Sequence, residues 1–223
     1  MSTSPSANHK APRIAVLDYG IGNLRSAQKA LEKVGADARL TADRGFIDEA
    51  DAVVLPGVGA FGACMHALRS ARLDDVAIDA AASGRPFLGI CVGMQMLYDG
   101  SDESPNVPGL SLLTGRVRWL VGDIKRPQMQ WNRLVTRTPV DPLLDGLVDD
   151  AWMYFVHSYA PDDIAHAIAT CDYGGPVVAA VGRLNVWATQ FHPEKSGRDG
   201  LQLLRNFVSI TERARDHAAA AST

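Results

Sequence analysis

The stretch PFLGICVGMQ, residues 86–95, decides the fold of this 223-residue chain. It begins as an apolar run of strand-forming residues and continues into VGMQMLY, whose composition is helical, so we predict a strand that turns directly into a helix. Glycine weakens a regular helix or strand, yet Gly89 and Gly93 flank Cys91 on either side. A sharp strand-to-helix corner explains both glycines, because it crowds the residues two positions away from its centre.

Strand-like and helix-like segments alternate upstream of this corner. RIAVLDY (13–19) is followed by a glycine turn and then by a helical apolar face, for which Asn23 is the predicted N-cap. ADARLT and DAVVLPG (51–57) predict two more strands, and residues 63–82 predict a helical region. This βαβ rhythm is typical of a parallel sheet covered by helices.

The second half of the chain is predicted to be mostly β. A final helix is expected near residues 199–212, with an apolar stripe that packs on the sheet. We therefore predict an α/β fold, a three-layer sandwich with a central mixed, mostly parallel sheet. The strand-like segments that support this prediction are RVRWLV, WNRLVTR, AWMYFVHSYA, AHAIATCDY, PVVAAVG and NVWATQF.

Composition indicates one domain. The chain is 47% hydrophobic and has no internal repeat or Pro/Gly/Ser-rich linker, so we expect a single domain over 13–213. Residues 1–12 are expected to form a disordered N-terminal tail, and residues 214–223 a flexible C-terminal tail.

Charge and hydropathy exclude several classes of partner. The formal net charge is -3 and no Lys/Arg cluster is long, which argues against nucleic acid and against anionic membranes. The first residues lack the apolar core of a signal peptide, and no run of about 18 apolar residues could span a bilayer. We therefore expect a cytoplasmic protein that binds a small molecule or another protein.

The three cysteines, Cys64, Cys91 and Cys171, do not form a disulfide or metal pattern. Their number is odd, no CxxC spacing occurs, and no histidine lies at metal-ligand spacing. We expect no metal site and a reducing environment. Cys64 and Cys171 are interpreted as core residues.

Cys91 is the candidate nucleophile. A corner at the end of a parallel strand lies at the carboxyl edge of the sheet, where ligands bind. The pattern G-x-C-x-G is the thiol counterpart of the nucleophile elbow G-x-S-x-G. The free N–H groups of the helix that follows favour thiolate over thiol. The alternative is that Cys91 is an ordinary buried core cysteine.

QFHPEKS, residues 190–196, supplies a candidate base and a group to orient it. His192 and Glu194 are two positions apart, so their side chains lie on the same side of an extended segment, which Pro193 stiffens. A lone HPE tripeptide is also compatible with an exposed polar turn. Together with the elbow it predicts a Cys-His-Glu triad.

A glycine-rich loop follows the preceding parallel strand. In LPGVGAFG, residues 55–62, the segment Gly57, Val58 and Gly59 exposes backbone N–H groups at the same sheet edge. A donor from this loop and the N–H of Val92 are the candidate oxyanion hole. An ordinary glycine-rich turn remains the alternative.

No cofactor is predicted. The glycine loop lacks the Lys-Ser/Thr pair of a Walker motif. DYGIGNLRS, residues 18–26, is only half of a dinucleotide fingerprint, because Arg25 occupies the position of its third glycine.

The motifs GICVGMQ, PGVGAFG and QFHPEKS together resemble the class I (triad) glutamine amidotransferases. DYGIGNLRS and YFVHSYA look like one family among them, the glutaminase subunits of imidazole glycerol phosphate synthase, and the resemblance covers residues 13–210. It implies that Cys91 attacks the side-chain amide of glutamine, that His192 protonates the departing ammonia, and that Glu194 orients the imidazole. Hydrolysis of the thioester then gives glutamate.

The same resemblance implies a substrate pocket and a partner. Gln95, His157, Ser158 and Tyr159 would line the glutamine pocket. The ammonia would pass to a (β/α)₈-barrel cyclase in a heterodimer, which makes imidazole glycerol phosphate and an aminoimidazole carboxamide ribotide in histidine biosynthesis. From the residues alone, Gln95 lies one helical turn after the thiol, and His157 is more typical of a structural histidine.

The chain departs from the family at the implied partner interface. Members usually carry PHMGWN, whereas residues 127–132 read PQMQWN. Met129, Trp131 and Asn132 are retained as interface candidates, and the added glutamine side chain puts the details of docking in question.

Three other functions fit parts of this pattern. A glutaminase subunit of another synthase, such as those for pyridoxal phosphate or anthranilate, would share the triad. A catalytically silent subunit with this fold would be expected to lack one of Cys91, His192 or Glu194. A redox-sensing thiol protein would need no HPE segment.

Overall fold

The computed structural model describes residues 10–137, 139–147, 151–162 and 164–221. The predicted tail at residues 1–12 lies mostly outside this range, since only residues 10–12 are described. The strands are β1 (Arg13–Leu17), β2 (Asp37–Thr41), β3 (Ala52–Gly57), β4 (Phe87–Cys91), β5 (Gly100–Ser101), β6 (Arg116–Trp119), β7 (Gln128–Arg133), β8 (Val135–Thr136), β9 (Trp152–His157), β10 (Tyr159–Pro161), β11 (Ala167–Asp172), β12 (Pro176–Arg183) and β13 (Val186–Thr189). The helices are α1 (Leu24–Lys33), α2 (Arg44–Asp48), α3 (Phe61–Ser70), α4 (Asp74–Ala82), α5 (Val92–Gln95) and α6 (Gly197–Ala221).

One eight-stranded sheet organises the fold, in the order β2-β1-β3-β4-β13-β12-β11-β8. The strands from β2 to β13 are parallel to their neighbours, and the β13-β12-β11-β8 side is antiparallel. β3 and β4 are buried along their whole length, as expected for parallel strands covered on both faces. The predicted α/β fold with a mixed sheet is confirmed.

The strands β3, β4 and β13 end at one edge of the sheet. This edge carries the candidate site residues and is called here the active edge. Gly57 pairs with Cys91 at the end of β3 and β4, and Thr189 of β13 pairs with Ile90. The glycine loop, the cysteine corner and the HPE segment therefore leave the sheet side by side, because parallel neighbours end at the same edge.

The helical region predicted at 63–82 is two helices. α3 ends at Ser70 and α4 begins at Asp74, with Arg72 between them at φ 55°. The left-handed conformation costs a non-glycine residue about 1 kcal/mol or more, and here it accompanies closing hydrogen bonds from Arg72 N–H to Arg69 O and from Leu73 N–H to Leu68 O. Periodicity alone does not reveal this break, since apolar residues continue across it.

Two other helices differ from prediction in length. α5 covers only Val92–Gln95, since the N–H groups of the 110–112 loop bond Met96 and Leu97 carbonyls that a longer helix would use. The predicted helix at 199–212 extends in α6 to Ala221, into the predicted flexible tail. Alanine is the best helix former, and Arg215 anchors this part by donating to Lys10 O at 2.8 Å.

Two smaller sheets lie beside the main one. β7 and β9 form an antiparallel ribbon in which Gln128 is opposite His157. β10, β6 and β5 form a three-stranded sheet. Because β9 and β10 are joined through Ser158, these two sheets bring residues 157–159, called here the HSY segment, to the active edge.

Among the described residues, no helix is both long enough and apolar enough to cross a membrane.

Candidate active site

Cys91 occupies a strained corner between β4 and α5. Its backbone has φ 57° and ψ -115°, a conformation that costs a non-glycine residue about 1–3 kcal/mol and that clusters at functional sites. A Cβ on Gly93 would collide with the carbonyl oxygen of Leu55, and one on Gly89 would lie 3.0 Å from Gly93 O. Gly93 is therefore required by the close approach of β3 to the corner, and Gly89 by the close approach of Gly93 at the start of α5.

The cysteine is enclosed but not sealed. Its exposed fraction is 3%, and it lines a cavity of about 540 Å³ at the active edge. Gln190 lies beside it, with Nε2 at 3.9 Å from the sulfur. A substrate the size of an amino acid fits a cavity of this volume.

His192 and Glu194 form a buried hydrogen-bonded pair. His192 Nδ1 donates to Glu194 Oε1 at 2.8 Å, and both side chains are 2% exposed. The segment after His192 is a 3₁₀ turn, Pro193–Lys195, so the extended backbone expected from the sequence is wrong there, because proline at the first helical position favours a turn. The two side chains still meet.

The backbone of this segment is fixed by β9. His192 N–H donates to Tyr154 O at 3.0 Å. Ser196 Oγ accepts from Tyr154 N–H at 3.0 Å and donates to His192 O at 2.6 Å. The imidazole is thus held in position through its main chain as well as through Glu194.

The electrostatics of His192 favour its protonated form. Burial alone lowers the pKa of the imidazole, but the neighbouring Cys91 and Glu194 outweigh burial and raise it to about 9. Because Nδ1 bonds the carboxylate, Nε2 is the nitrogen left for chemistry. Nε2 has no hydrogen-bond partner among the described residues.

The predicted oxyanion residues divide into two groups. Val58, Gly59 and Val92 line the cavity. Gly57 is not part of the cavity wall; it lies in β3, where a Cβ would be 2.7 Å from Gly93 N. Gly57 therefore allows the loop to approach the corner closely.

The predicted pocket residues Gln95, His157, Ser158 and Tyr159 also line the cavity. Gln95 Nε2 donates to Tyr159 O and to Gln190 Oε1, both at 3.1 Å. The amide of Gln95 therefore also holds the HSY segment in place.

His157 is a neutral histidine. Its Nδ1 lies 2.8 Å from Tyr159 O, which only accepts, so Nδ1 carries the proton. Burial lowers the pKa of this imidazole to about 4, aided by nearby His192. Its Nε2 is a buried acceptor without a partner among the described residues.

Sequence reasoning missed several side chains of the site, among them Gln190 beside the sulfur, Asn23 and Glu103. Asn23 occupies the predicted N-cap position, but its side chain makes no capping hydrogen bond and instead donates from Nδ2 to Glu194 Oε1 at 3.2 Å. Glu103 lines the cavity and accepts from Phe61 N–H at 2.6 Å. No local pattern marks Glu103, whereas Asn23 lies beside the glycine turn after β1, a signal that could have pointed to it.

The predicted interface residues differ in exposure. Met129 is 62% and Trp131 is 47% exposed, whereas Asn132 is half-buried and donates from Nδ2 to Asp172 O at 2.9 Å. Gln128 is fully buried with Nε2 at 3.7 Å from Cys171 Sγ, while Gln130 is exposed. Only some of the strand therefore presents side chains to a partner.

The fold and motifs match known proteins. Residues 15–210 match the family described as Glutamine amidotransferase class-I. A structure of PurLQS from Thermotoga maritima has a TM-score of 0.72 at 22% identity and covers 90% of this chain and 99% of its own. A protein of Thermoplasma acidophilum described as a GMP synthase subunit has a TM-score of 0.71 at 21% identity, covering 95% and 99%. The chain thus belongs to the class I glutamine amidotransferases and has their fold.

Closer relatives narrow the class. A protein of Deinococcus radiodurans named imidazole glycerol phosphate synthase subunit HisH is 49% identical over 93% of this chain and 97% of the relative. A HisH subunit of Halobacterium salinarum is 50% identical over 87% and 92%. The chain therefore belongs to the HisH family of imidazole glycerol phosphate synthase subunits. The resemblance noted from the motifs is confirmed.

Proposed function

We propose that this chain is a glutaminase that releases ammonia from glutamine through Cys91, His192 and Glu194, for use by imidazole glycerol phosphate synthase in histidine biosynthesis. The observation that carries the proposal is the bond between His192 Nδ1 and Glu194 Oε1. It leaves Nε2 as the proton carrier beside a cysteine held in a strained corner.

The chemistry follows from these positions. The Cys91 thiolate attacks the side-chain carbonyl carbon of glutamine, forming a C–S bond and an oxyanion. His192 Nε2–H gives its proton to the amide nitrogen, and the C–N bond breaks to release ammonia. Neutral His192 then takes a proton from water, whose oxygen attacks the thioester and releases glutamate and the thiolate.

The oxyanion is stabilised by backbone groups. The N–H of Val92 follows the nucleophile, as at other nucleophile elbows, and Gly59 lies in the facing loop on the cavity wall. N–H groups at this position lower the barrier because negative charge appears on the oxygen only during reaction.

The cavity wall also offers groups for the amino-acid end of glutamine. Among the described residues that line the cavity, Glu103 is the one with an acidic side chain, and it suits an α-ammonium group. Backbone groups of the HSY segment, held by Gln95 and His157, bind the α-carboxylate.

The ammonia is used by a (β/α)₈-barrel cyclase with which the chain forms a cytoplasmic heterodimer. The cyclase joins ammonia to a phosphoribulosyl-formimino carboxamide nucleotide, giving imidazole glycerol phosphate and an aminoimidazole carboxamide ribotide. Exposed apolar side chains support a docking surface, since Trp119, Val121, Met129 and Trp131 are each at least 47% exposed.

The test is a coupled assay with the cyclase and its nucleotide substrate. Wild-type protein should convert glutamine to glutamate as nucleotide product forms, and Cys91→Ala should abolish both. Added ammonium chloride should restore nucleotide turnover in the Cys91→Ala complex. Persistent glutamate release by Cys91→Ala contradicts the assigned nucleophile, and failure of ammonia to rescue contradicts the division of labour between the two proteins.

A further inference from the structure

A buried glutamine lies behind the nucleophile. Gln190 follows the end of β13, and its side chain is fully buried. Its main chain is fixed in the sheet, since Gln190 N–H donates to Ala179 O at 2.8 Å. Its side-chain Nε2 lies 3.9 Å from Cys91 Sγ, and the residue is not part of the cavity wall. The amide therefore acts on a substrate in the cavity only through the sulfur.

The orientation of the Gln190 amide is decided by its neighbours. Tyr159 O only accepts, so the Gln95 atom that lies 3.1 Å from it is the donating Nε2. The same Nε2 has a second proton and lies 3.1 Å from Gln190, so the atom that faces it there is the accepting Oε1. The other end of the Gln190 amide, the donating Nε2, therefore faces Cys91.

Reversal of either amide is unfavourable. A reversed Gln95 would set its Oε1 against Tyr159 O, and a reversed Gln190 would set two NH₂ groups against each other. Each change leaves buried polar atoms without partners, which costs more than a hydrogen bond contributes. The N–H of Gln190 is thus directed at the sulfur by a chain of contacts that begins at a backbone carbonyl.

A buried thiolate needs donors of this kind. Cys91 is 3% exposed, and burial disfavours a charged group unless it is paired or hydrogen-bonded. The thiolate occurs twice in the reaction, first as the attacking group and then as the group that leaves the thioester. An N–H at the sulfur raises the population of the first and stabilises the second.

We propose that Gln190 is a further catalytic residue, whose amide N–H stabilises the Cys91 thiolate, and that Gln95 orients this amide. The proposal rests on the glutaminase function proposed above. A chain of hydrogen bonds then runs from the HSY segment through Gln95 and Gln190 to the nucleophile.

The test is the pH dependence with which iodoacetamide alkylates Cys91 in the full chain. Alkylation needs the thiolate but no glutamine, and mass spectrometry of the peptide that contains Cys91 measures its rate. Gln190→Met keeps the length of the side chain and removes the donor. Its alkylation profile should move up by about one pH unit, which is about tenfold slower reaction where the rate still rises with pH. This is the lower end of the loss expected for a hydrogen bond to a charged group, because the contact between Nε2 and Sγ is long.

Gln128→Met is the matched control. Gln128 is also fully buried, and its Nε2 lies 3.7 Å from the sulfur of a different cysteine, Cys171. The variant therefore loses an equivalent buried amide away from the nucleophile. Its alkylation profile for Cys91 should be that of wild type.

A second measurement needs no substitution at Gln190 and so applies even if Gln190→Met does not fold. In the isotope-labelled wild-type chain, the NMR signal of the Gln190 side-chain amide should shift as the thiolate forms with rising pH. Cys91→Ala should abolish this shift.

Three results would overturn the inference. They are a wild-type alkylation profile in Gln190→Met, an equal shift of the profile in Gln128→Met, and a Gln190 amide signal that does not change with pH in wild type. Absence of glutamate release by the wild-type complex would instead contradict the proposed function. Alkylation needs no turnover of glutamine, so the two failures are distinct.

Discussion

Asn23 donates a hydrogen bond to Glu194, from Nδ2 to Oε1 at 3.2 Å, across 171 residues of sequence. The same oxygen accepts from His192 Nδ1 at 2.8 Å. The turn after the first strand therefore takes part in orienting the triad carboxylate. Oε2 of Glu194 is buried without a partner among the described residues. The carboxylate is therefore fixed by the two hydrogen bonds that Oε1 accepts.

Replacing Asn23 should slow catalysis more than it weakens the fold. Asn23→Ala removes one of the two bonds to Oε1 and should lower kcat about 10-fold to 100-fold, as expected for loss of a hydrogen bond to a charged group. Asn23→Ser is the matched variant, because serine retains the ability to cap α1 but does not reach Glu194. Similar kcat values for the two variants, with melting temperatures close to wild type, support orientation; full activity in Asn23→Ser contradicts it.

Glu194→Gln should lower both kcat and the pKa of His192. The pKa of about 9 in the wild type depends partly on Glu194, so loss of the charge lowers it. Replacement of the orienting carboxylate in a triad costs roughly 10³-fold or more in kcat. NMR titration of the His192 ring measures its pKa. If the pKa of His192 in Glu194→Gln equals that in wild type, the assigned coupling between His192 and Glu194 is refuted.

The raised pKa of His192 also predicts a pH dependence of stability. Since the folded value of about 9 exceeds the ordinary 6.5, the folded state binds this proton more tightly than the unfolded state. The stabilisation is complete below about pH 6.5 and is lost as the pH rises through 9. The free energy of unfolding, measured with urea, should fall less between pH 6.5 and pH 9 in Glu194→Gln than in wild type. An equal fall in both proteins counts against this linkage.

Much of the fold is readable from the sequence, whereas the site is readable only in part. The strands beside Cys91 are recognisable because apolar β-formers alternate with helical segments and end in glycine turns. The break at Arg72 is not, because a left-handed arginine leaves no compositional trace. The sequence indicates only a local role for Asn23 because N-cap preference is a local rule, while its contact with Glu194 depends on tertiary structure. Glu103 is not predicted from the sequence for the same reason, since its place in the cavity wall also depends on tertiary structure.

The neutral state of His157 predicts a loss of stability in acid. The unfolded histidine binds a proton below about pH 6.5, whereas the folded one does so only near pH 4, so stability should fall between these values by on the order of 2 kcal/mol. His157→Asn keeps a donor near the position of Nδ1 but does not titrate. Its unfolding free energy should therefore depend less on pH between 6.5 and 4 than that of wild type, and an equal dependence shows that other groups are responsible.

The corner at Cys91 predicts which glycine is irreplaceable. Gly93→Ala places a methyl group against the Leu55 carbonyl, and since backbone atoms on both sides are fixed, the variant should lose more than about 3 kcal/mol or fail to fold. Gly45→Ala is the matched control, since its Cβ would lie 3.4 Å from the nearest atom, an ordinary contact. Chemical denaturation should give near-wild-type stability for Gly45→Ala, and comparable stability of both variants contradicts the crowding argument.

Docking of the cyclase should depend on Trp131 more than on other exposed apolar residues. Trp131 is 47% exposed on β7, where its ring packs edge-on against Tyr154 at 6.0 Å, so it is presented to a partner in a fixed orientation. Truncation of a tryptophan buried in an interface commonly costs at least about 2 kcal/mol of binding free energy, which is roughly a 30-fold loss of affinity.

Leu184→Ala is the control and should bind normally. Leu184 is 84% exposed at the turn between β12 and β13, at the end of the main sheet opposite the active edge. Calorimetric titration with the cyclase measures both. Equal affinities for the two variants would place the docking surface elsewhere on the molecule, while basal glutaminase activity of Trp131→Ala should remain at the level of the isolated wild-type chain because Trp131 does not line the cavity.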